Sequence, residues 1–195
     1  MIPKVIHYCW FGGDPLPSLA VKCIESWKKY CPDYEIKEWN ESNFDLECCD
    51  YVKEAYDAKK WAFITDFVRL YVLYNEGGIY MDTDIEVIKP LSIFLSNNGF
   101  LGFETEHSVQ TGIMAGEKGQ PLLGRLLEYY KNRHFLNLDG SYDLTTNVEI
   151  ITGICGSLGL KLDGKKQKIL DLVFYPKEVF CPKNYETGII EQTDK

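Results

Sequence analysis

Two carboxylates one residue apart, Asp82 and Asp84, follow a glycine pair in the stretch "GGIYMDTDIEV", residues 77–87. If the run is a strand, its side chains alternate between faces. Ile79, Met81, Thr83, Ile85 and Val87 then share one face, and Tyr80, Asp82, Asp84 and Glu86 the other. Three acids on one face repel one another unless water or a cation screens them. Either an edge strand with a wet face or a metal site answers this. Two carboxylates with diphosphate oxygens and water make an all-oxygen shell suited to Mg2+ or Mn2+. Such an ion neutralises a departing diphosphate.

Two further groups stand upstream. Asp66 and Arg69 are three apart, hence on one helical face, among Phe63, Ile64, Phe67, Val68 and Leu70. An internal salt bridge is one reading. A buried pair gains little net stability, because desolvation offsets the attraction, so a site facing a polar ligand competes with it. Arginine offers forked donors to hydroxyls or phosphate, and aspartate accepts from sugar hydroxyls. Gly77 and Gly78 remove side chains where backbone or ligand passes closely. In "HYCWFGG", aromatics precede a glycine turn at the carboxyl end of a first strand, where open α/β sheets bind nucleotides. Tyr8 or Trp10 either stacks on a base or belongs to the core. His7 reads as a core histidine with satisfied hydrogen bonds.

The elements that must position these residues follow from pattern. "KVIHYCWF" predicts a buried strand, broken by "GGDPLP". "SLAVKCIESWKKYC" predicts a helix with Ser18 as N-cap, stopped by Pro32. "YEIKEW" alternates as a second strand, which completes a βαβ unit and implies a parallel sheet. "YVKEAYDA" is a weaker helix. From about Lys60 to Asn75 the chain predicts a helix apolar nearly all round, and therefore buried, with Gly77 just past its end. "FLGFE" and "QTGIMA" are short strands, and an amphipathic helix begins near Pro121. "TTNVEIITGICGSLG" is a helix weakened by glycines, "NLDGSYD" a surface loop and "KILDLVFYP" a late strand.

The 195 residues suffice for one domain, 1–195, with a sizeable core. Hydrophobic residues at 45% and charged residues at 26% indicate a globular chain. A net charge of −8 argues against wrapping a nucleic acid backbone, though not against a nucleotide held through a cation. Seven cysteines without regular spacing, Cys48 and Cys49 adjacent, read as a reduced, cytoplasmic set. No C-x-x-C pair suggests structural zinc. Met1 runs straight into a strand without a signal peptide. No apolar run is long enough to span a bilayer, which leaves peripheral association with a membrane open.

Together, "IPKVIHYCWFGG" and "WAFITDFVRLYVLYNEGGIYMDTDIEV" resemble the glycosyltransferases with a DXD sugar-binding region. That group includes Och1-like mannosyltransferases, lactosylceramide galactosyltransferases and bacterial capsular-polysaccharide transferases. It is similar to the catalytic region of the large clostridial glucosylating toxins. The order Ala62-x-x-Thr65-Asp66-x-x-Arg69, Gly77-Gly78, Tyr80, Asp82-x-Asp84 carries the resemblance; D-x-D alone is weak. The resemblance implies a GT-A-type, Rossmann-like mixed α/β sheet flanked by helices. It implies a UDP- or GDP-linked hexose donor, Mn2+ or Mg2+, a glycan or polysaccharide acceptor, and retention of anomeric configuration. By motif match Trp10 would stack on the base. Asp66 and Arg69 would hold sugar or ribose hydroxyls. Asp82 would contact sugar or ribose and reach the metal through water, and Asp84 would bind the metal directly. Gln110 and Thr111 would line the sugar pocket.

Similar chains continue into a His- and Trp-containing segment over the metal. Residues 183–195, "KNYETGIIEQTDK", contain neither, so the expectation is a chain that stops before its last metal ligand and lid. Two rivals stand beside the transferase. A catalytically silent nucleotide-sugar-binding relative would keep the same motifs. Aspartyl-phosphate phosphatases also use D-x-D after an apolar strand, but near the chain start and with a second acidic pair downstream, which this chain lacks.

Overall fold

In a computed structural model of the chain, which describes residues 1–183 together with Gly188 and Ile190, the predicted βαβ unit opens the fold. Strand β1 (Val5–Cys9) leads through α1 (Ser18–Tyr30) into β2 (Glu35–Trp39), and β1 and β2 pair in parallel. Helices α2 (Asp50–Asp57) and α3 (Trp61–Glu76) follow, then β3 (Gly78–Met81). The rest comprises β4 (Gly99–Gly102), β5 (Ile113–Gly116), α4 (Pro121–Tyr130), α5 (Asn147–Ser157), β6 (Gln167–Ile169), β7 (Leu172–Tyr175) and the short α6 (Lys177–Phe180). The strands form one mixed sheet in the order β2-β1-β3-β5-β4-β7-β6. β1 pairs β3 in parallel, while β5 runs antiparallel to both β3 and β4.

Alternation along the strands divides the core. Ile6 and Tyr8 of β1, with Ile79 and Met81 of β3, pack under α1 against Cys23 and Trp27. Cys9 and Tyr80 face the opposite side, where Ile64, Val68 and Leu73 of α3 meet Leu122, Leu126 and Tyr130 of α4. The helix predicted to be buried is thus covered by sheet below and α4 above. His7 is fully buried. Its Nε2 lies 2.9 Å from the Gly77 carbonyl, and its Nδ1 lies 3.1 Å from the indole Nε1 of Trp39. A neutral ring protonated on Nε2 satisfies both, and burial holds the imidazole below its ordinary pKa. The core reading of His7 is the observed one.

Several expectations need correction. The acid run is a strand only as far as Met81. From Asp82 the chain turns, with the Ile85 N–H donating to the Asp82 carbonyl at 3.0 Å and the Asp82 N–H to the Gly112 carbonyl at 2.8 Å. Hydrogen bonds from other elements then hold the segment: Trp27 Nε1 donates to the Ile85 carbonyl at 2.7 Å, and the Val87 N–H donates to Ser26 Oγ at 2.9 Å. The N-cap of α1 is Pro17, with Ser18 the first helical residue. "KILDLVFYP" is a hairpin of β6 and β7, turning at Leu170 and Asp171, both at positive φ. The loop at "NLDGSYD" closes on itself through an antiparallel bridge between Leu136 and Tyr142.

Gly77 and Gly78 stand at the start of β3, the end remote from Asp82. Their positive φ and lack of Cβ serve packing: a Cβ on Gly78 would sit 2.7 Å from the Val5 carbonyl oxygen, and one on Gly77 2.8 Å from the Lys118 nitrogen. Among the described residues no helix is long and apolar enough to cross a membrane. All seven cysteines are free thiols.

Candidate active site

The carboxyl ends of β1 and β3 lie side by side, and a cleft of about 460 Å³ opens above them. β1 delivers Cys9, and the loop that follows it adds Trp10, Phe11 and Asp14. One face of α3 supplies Trp61, Ala62, Thr65 and Arg69, and β3 with its turn supplies Tyr80, Asp82, Thr83 and Asp84. The β1 loop is pinned from both sides. Trp10 Nε1 donates to the Asp14 carbonyl at 2.6 Å, and the Gly12 N–H donates to Glu41 Oε1 at 2.6 Å. Gly12, at φ +98, brings its backbone against the Trp61 ring so closely that an added Cβ would lie 2.8 Å from the indole nitrogen.

Arg69 organises the floor. Its side chain is 6% exposed, and its nitrogens reach four acceptors. Nε donates to the Thr65 carbonyl at 3.3 Å, and Nη1 to the Thr111 carbonyl at 2.7 Å and to Asp82 Oδ2 at 3.3 Å. Nη2 meets Asp66 Oδ1 at 3.1 Å. The guanidinium also lies 4.8 Å from the centre of the Tyr80 ring. Burial works against its charge, but Asp82, Tyr80 and Asp66 more than offset that, and its pKa is raised. The salt-bridge reading of Asp66 and Arg69 is therefore the one observed, extended to Asp82 and to the 110–112 segment.

The three acids differ in surroundings. Asp66 is 14% exposed, lies outside the cleft lining, and has its carboxyl pushed up by burial, against the pull of Arg69. Asp82 is 33% exposed, with both oxygens engaged, Oδ1 by the Tyr80 hydroxyl at 2.7 Å and Oδ2 by Arg69. Asp84 is exposed at the cleft and has no hydrogen-bond or ion-pair partner among the described residues. A hard divalent cation suits this donor set, with Asp84 open and Asp82 held in place by neighbours. Among the described residues, no cluster of three His, Cys, Asp or Glu side chains completes a protein-only cage. Phosphate oxygens and water would supply the remaining positions.

Of the residues singled out in the sequence, Trp10, Arg69, Tyr80, Asp82 and Asp84 meet at the cleft. Tyr8 does not: it packs edge-on against Trp27, and its hydroxyl donates to Glu38 at 2.5 Å. Gly77 and Gly78 lie at the other end of β3. Gln110 is buried, with its amide folded back onto the backbone of Ile113. Thr111 offers its carbonyl to Arg69. The expectation that the chain stops before a His/Trp segment over the metal rests on residues 183–195, which apart from Lys183, Gly188 and Ile190 lie outside the described residues. Trp61 escaped the sequence reading; Gly12, whose missing Cβ leaves room for the Trp61 ring, is the one local signal of it, and Gly13 has no neighbour that a Cβ would meet.

Residues 17–101 match the family described as the glycosyltransferase sugar-binding region containing DXD motif. Over 149 residues the chain is 29% identical to inositol phosphoceramide mannosyltransferase 3 of Schizosaccharomyces pombe, covering 72% of this chain and 42% of that protein. It is 29% identical over 157 residues to an uncharacterized glycosyltransferase of Acanthamoeba polyphaga mimivirus, covering 75% and 61%. Identity to the initiation-specific alpha-1,6-mannosyltransferase of Candida albicans is 25%, covering 67% and 36%. The chain thus spans about half the length of these relatives. Two solved structures share the fold. PaToxG glycosyltransferase superposes with a TM-score of 0.54 at 19% identity, over 65% of this chain and 58% of that one. A glycosyltransferase involved in the glycosylation of the major capsid of PBCV-1 gives 0.51 at 12% identity, over 90% and 83%. The chain thus resembles the DXD glycosyltransferases in sequence, and its mixed sheet is of the GT-A type.

Proposed function

We propose that this chain, carrying a DXD sugar-binding region on a GT-A-type sheet, is a glycosyltransferase that moves a hexose from a UDP- or GDP-linked donor to a glycan or polysaccharide acceptor, with retention of anomeric configuration. The observation that carries the reading is the pairing of an open Asp84, without a partner among the described residues, with a tethered Asp82 at the floor of a cleft walled by Trp10 and Trp61. The mannosyltransferases among the relatives favour mannose as the hexose, and the seven free thiols favour a reducing, cytoplasmic compartment.

In this reading Asp84 holds Mn2+ or Mg2+ directly, and Asp82 orients water or sugar hydroxyls beside it. The ion, when bound, offsets charge on the departing nucleoside diphosphate. Trp10, Trp61 or both give the base an apolar face to stack on. Arg69 acts from beneath, fixing Asp82 and the Thr111 carbonyl relative to each other, so the binding groups need little reordering when the donor arrives. Thr65, one helical turn before Arg69, presents its side chain to the same space.

The test is a thermal-shift and calorimetric screen of UDP- and GDP-sugars with and without Mn2+, followed by donor hydrolysis. Metal-dependent stabilisation by one donor class, with slow release of free sugar, supports the transferase. Binding without hydrolysis or transfer to any glycan favours the silent relative.

A further inference from the structure

Beyond the cleft, the feature most in need of a partner is the excursion between α4 and α5. Residues 135–143 form a well-made hairpin: the Asp143 N–H donates to the Phe135 carbonyl at 2.8 Å, and the Asn137 N–H to the Ser141 carbonyl at 2.8 Å. Phe135 is fully buried at its base and stacks on Tyr142 at 5.1 Å, while Glu54 accepts from the N–H groups of Phe135 and Leu136. This rigid base displays apolar side chains outward. Leu138 is fully exposed at the tip, and Leu136, Tyr142 and Leu144 are 46%, 44% and 58% exposed. Four exposed apolar side chains on one short, ordered projection are uncommon on a surface facing only water.

Several of the charged groups around it are already paired. Asp139 is occupied by the N–H and hydroxyl of Ser141, Asp143 by Arg133, and His134 by Glu54. Lys59 and Lys60, both exposed, have no anionic partner among the described residues, and the Lys60 ammonium lies 5.9 Å from the centre of the Tyr142 ring. Leucines at a tip, a tyrosine at the flank and free lysines behind it match the profile of a lipid–water interface: acyl chains, then glycerol, then phosphate. The next residue after Lys60 is Trp61, a wall of the cleft.

We propose that this hairpin seats the protein on a phospholipid surface, with Leu136, Leu138 and Leu144 at the acyl boundary and Lys59 and Lys60 against headgroup phosphates. The cleft mouth is thereby held beside the bilayer.

Cosedimentation of the full chain with phosphatidylcholine vesicles, with and without phosphatidylglycerol, tests it. The expected result is binding strengthened by phosphatidylglycerol. Leu138→Asp combined with Leu144→Asp should lower the partition coefficient by about tenfold or more, and Lys59→Glu with Lys60→Glu should abolish the phosphatidylglycerol preference. All four positions are exposed, so unfolding temperature and nucleotide affinity should stay unchanged, which separates loss of docking from failure of the cleft assignment. Absence of vesicle binding by the unmodified chain, or equal binding by the double-leucine variant, overturns the proposal. So does a concentration-dependent dimer lost with Leu138→Asp in the absence of lipid binding, which would make the occupant a second copy of this chain.

Discussion

Arg69→Lys keeps the charge of the cleft floor and removes the fork. In the native structure one guanidinium reaches the carbonyls of Thr65 and Thr111 and the carboxylates of Asp66 and Asp82. A lysine ammonium on a shorter, flexible stem reaches one or two of these acceptors. The carbonyl of Thr111 and one carboxylate then lose their partner. Leaving a buried acceptor unsatisfied costs about 1–3 kcal/mol, moderated at Asp82 by its partial exposure to water. Some of the ring contact with Tyr80 is lost as well, worth about 1 kcal/mol. The sum is about 2–4 kcal/mol, a large share of ordinary domain stability but below its total, so the variant should fold. For a chain of this size the thermal midpoint should drop by roughly 5–15 °C. Urea unfolding gives the stability, and calorimetric titration of nucleoside diphosphate with Mn2+ gives the affinity. Both should fall, because Asp82 loses its anchor. A variant as stable as the parent, yet weak for nucleotide, would refute the clamp and make Arg69 a direct donor ligand.

Four other outcomes are expected. Asp84→Asn should abolish the Mn2+ dependence of nucleotide binding and leave stability within about 0.5 kcal/mol, since the side chain is exposed and has no partner among the described residues; titration with and without metal reads it. Trp10→Ala and Trp61→Ala, measured separately, should show which ring stacks on the base, through a loss of about 1–3 kcal/mol in nucleotide affinity. Gly12→Ala should destabilise the chain by about 1–2 kcal/mol, through its strained φ and the displaced Trp61 ring, and shift tryptophan fluorescence. His7, whose pKa is lowered by burial, contributes stability that is fully present above its unfolded value of 6.5 and is lost as pH falls through the folded value. A His7→Gln variant should therefore lose the part of the acid-side decline in unfolding free energy that His7 causes, in urea titrations across that range.

What could be read from the sequence were features written in local pattern. The opening βαβ unit, the buried helix around Arg69 and the pairing of Asp82 with Asp84 each depend on residues a few positions apart. What could not be read were features decided by partners far along the chain. Tyr8 and Trp10 look equivalent two residues apart, but β1 ends at Cys9. Tyr8 therefore stays in the sheet against Trp27, and Trp10 swings into the cleft. The acids alternate as a strand would, yet Gly112, Trp27 and Ser26 take up the backbone groups from Asp82 onward and turn it. The β6–β7 turn is made by Leu170 and Asp171 at positive φ, where pattern calls for glycine or asparagine. Gln110 is expected in the sugar pocket only through the family resemblance, and nothing in the sequence shows that its side chain hydrogen-bonds to Ile113, three residues along its own backbone.

The order of strands across the sheet has a bearing on how the chain comes to be folded. Every residue lining the cleft precedes residue 85, and the last group clamped by Arg69 is Thr111. The strands that build the site are complete at Gly116. The outer pair, β7 and β6, joins β4 only after residue 175 has been made. A growing chain can therefore assemble the cleft-lining residues well before the far edge of the sheet exists. It cannot yet bury the apolar face of α3: Leu122, Leu126 and Tyr130 of α4, which close over that helix, arrive later. Between those two points of synthesis the nascent chain carries a formed cleft beside an apolar helix face that is still open, an interval in which exposed apolar surface favours aggregation.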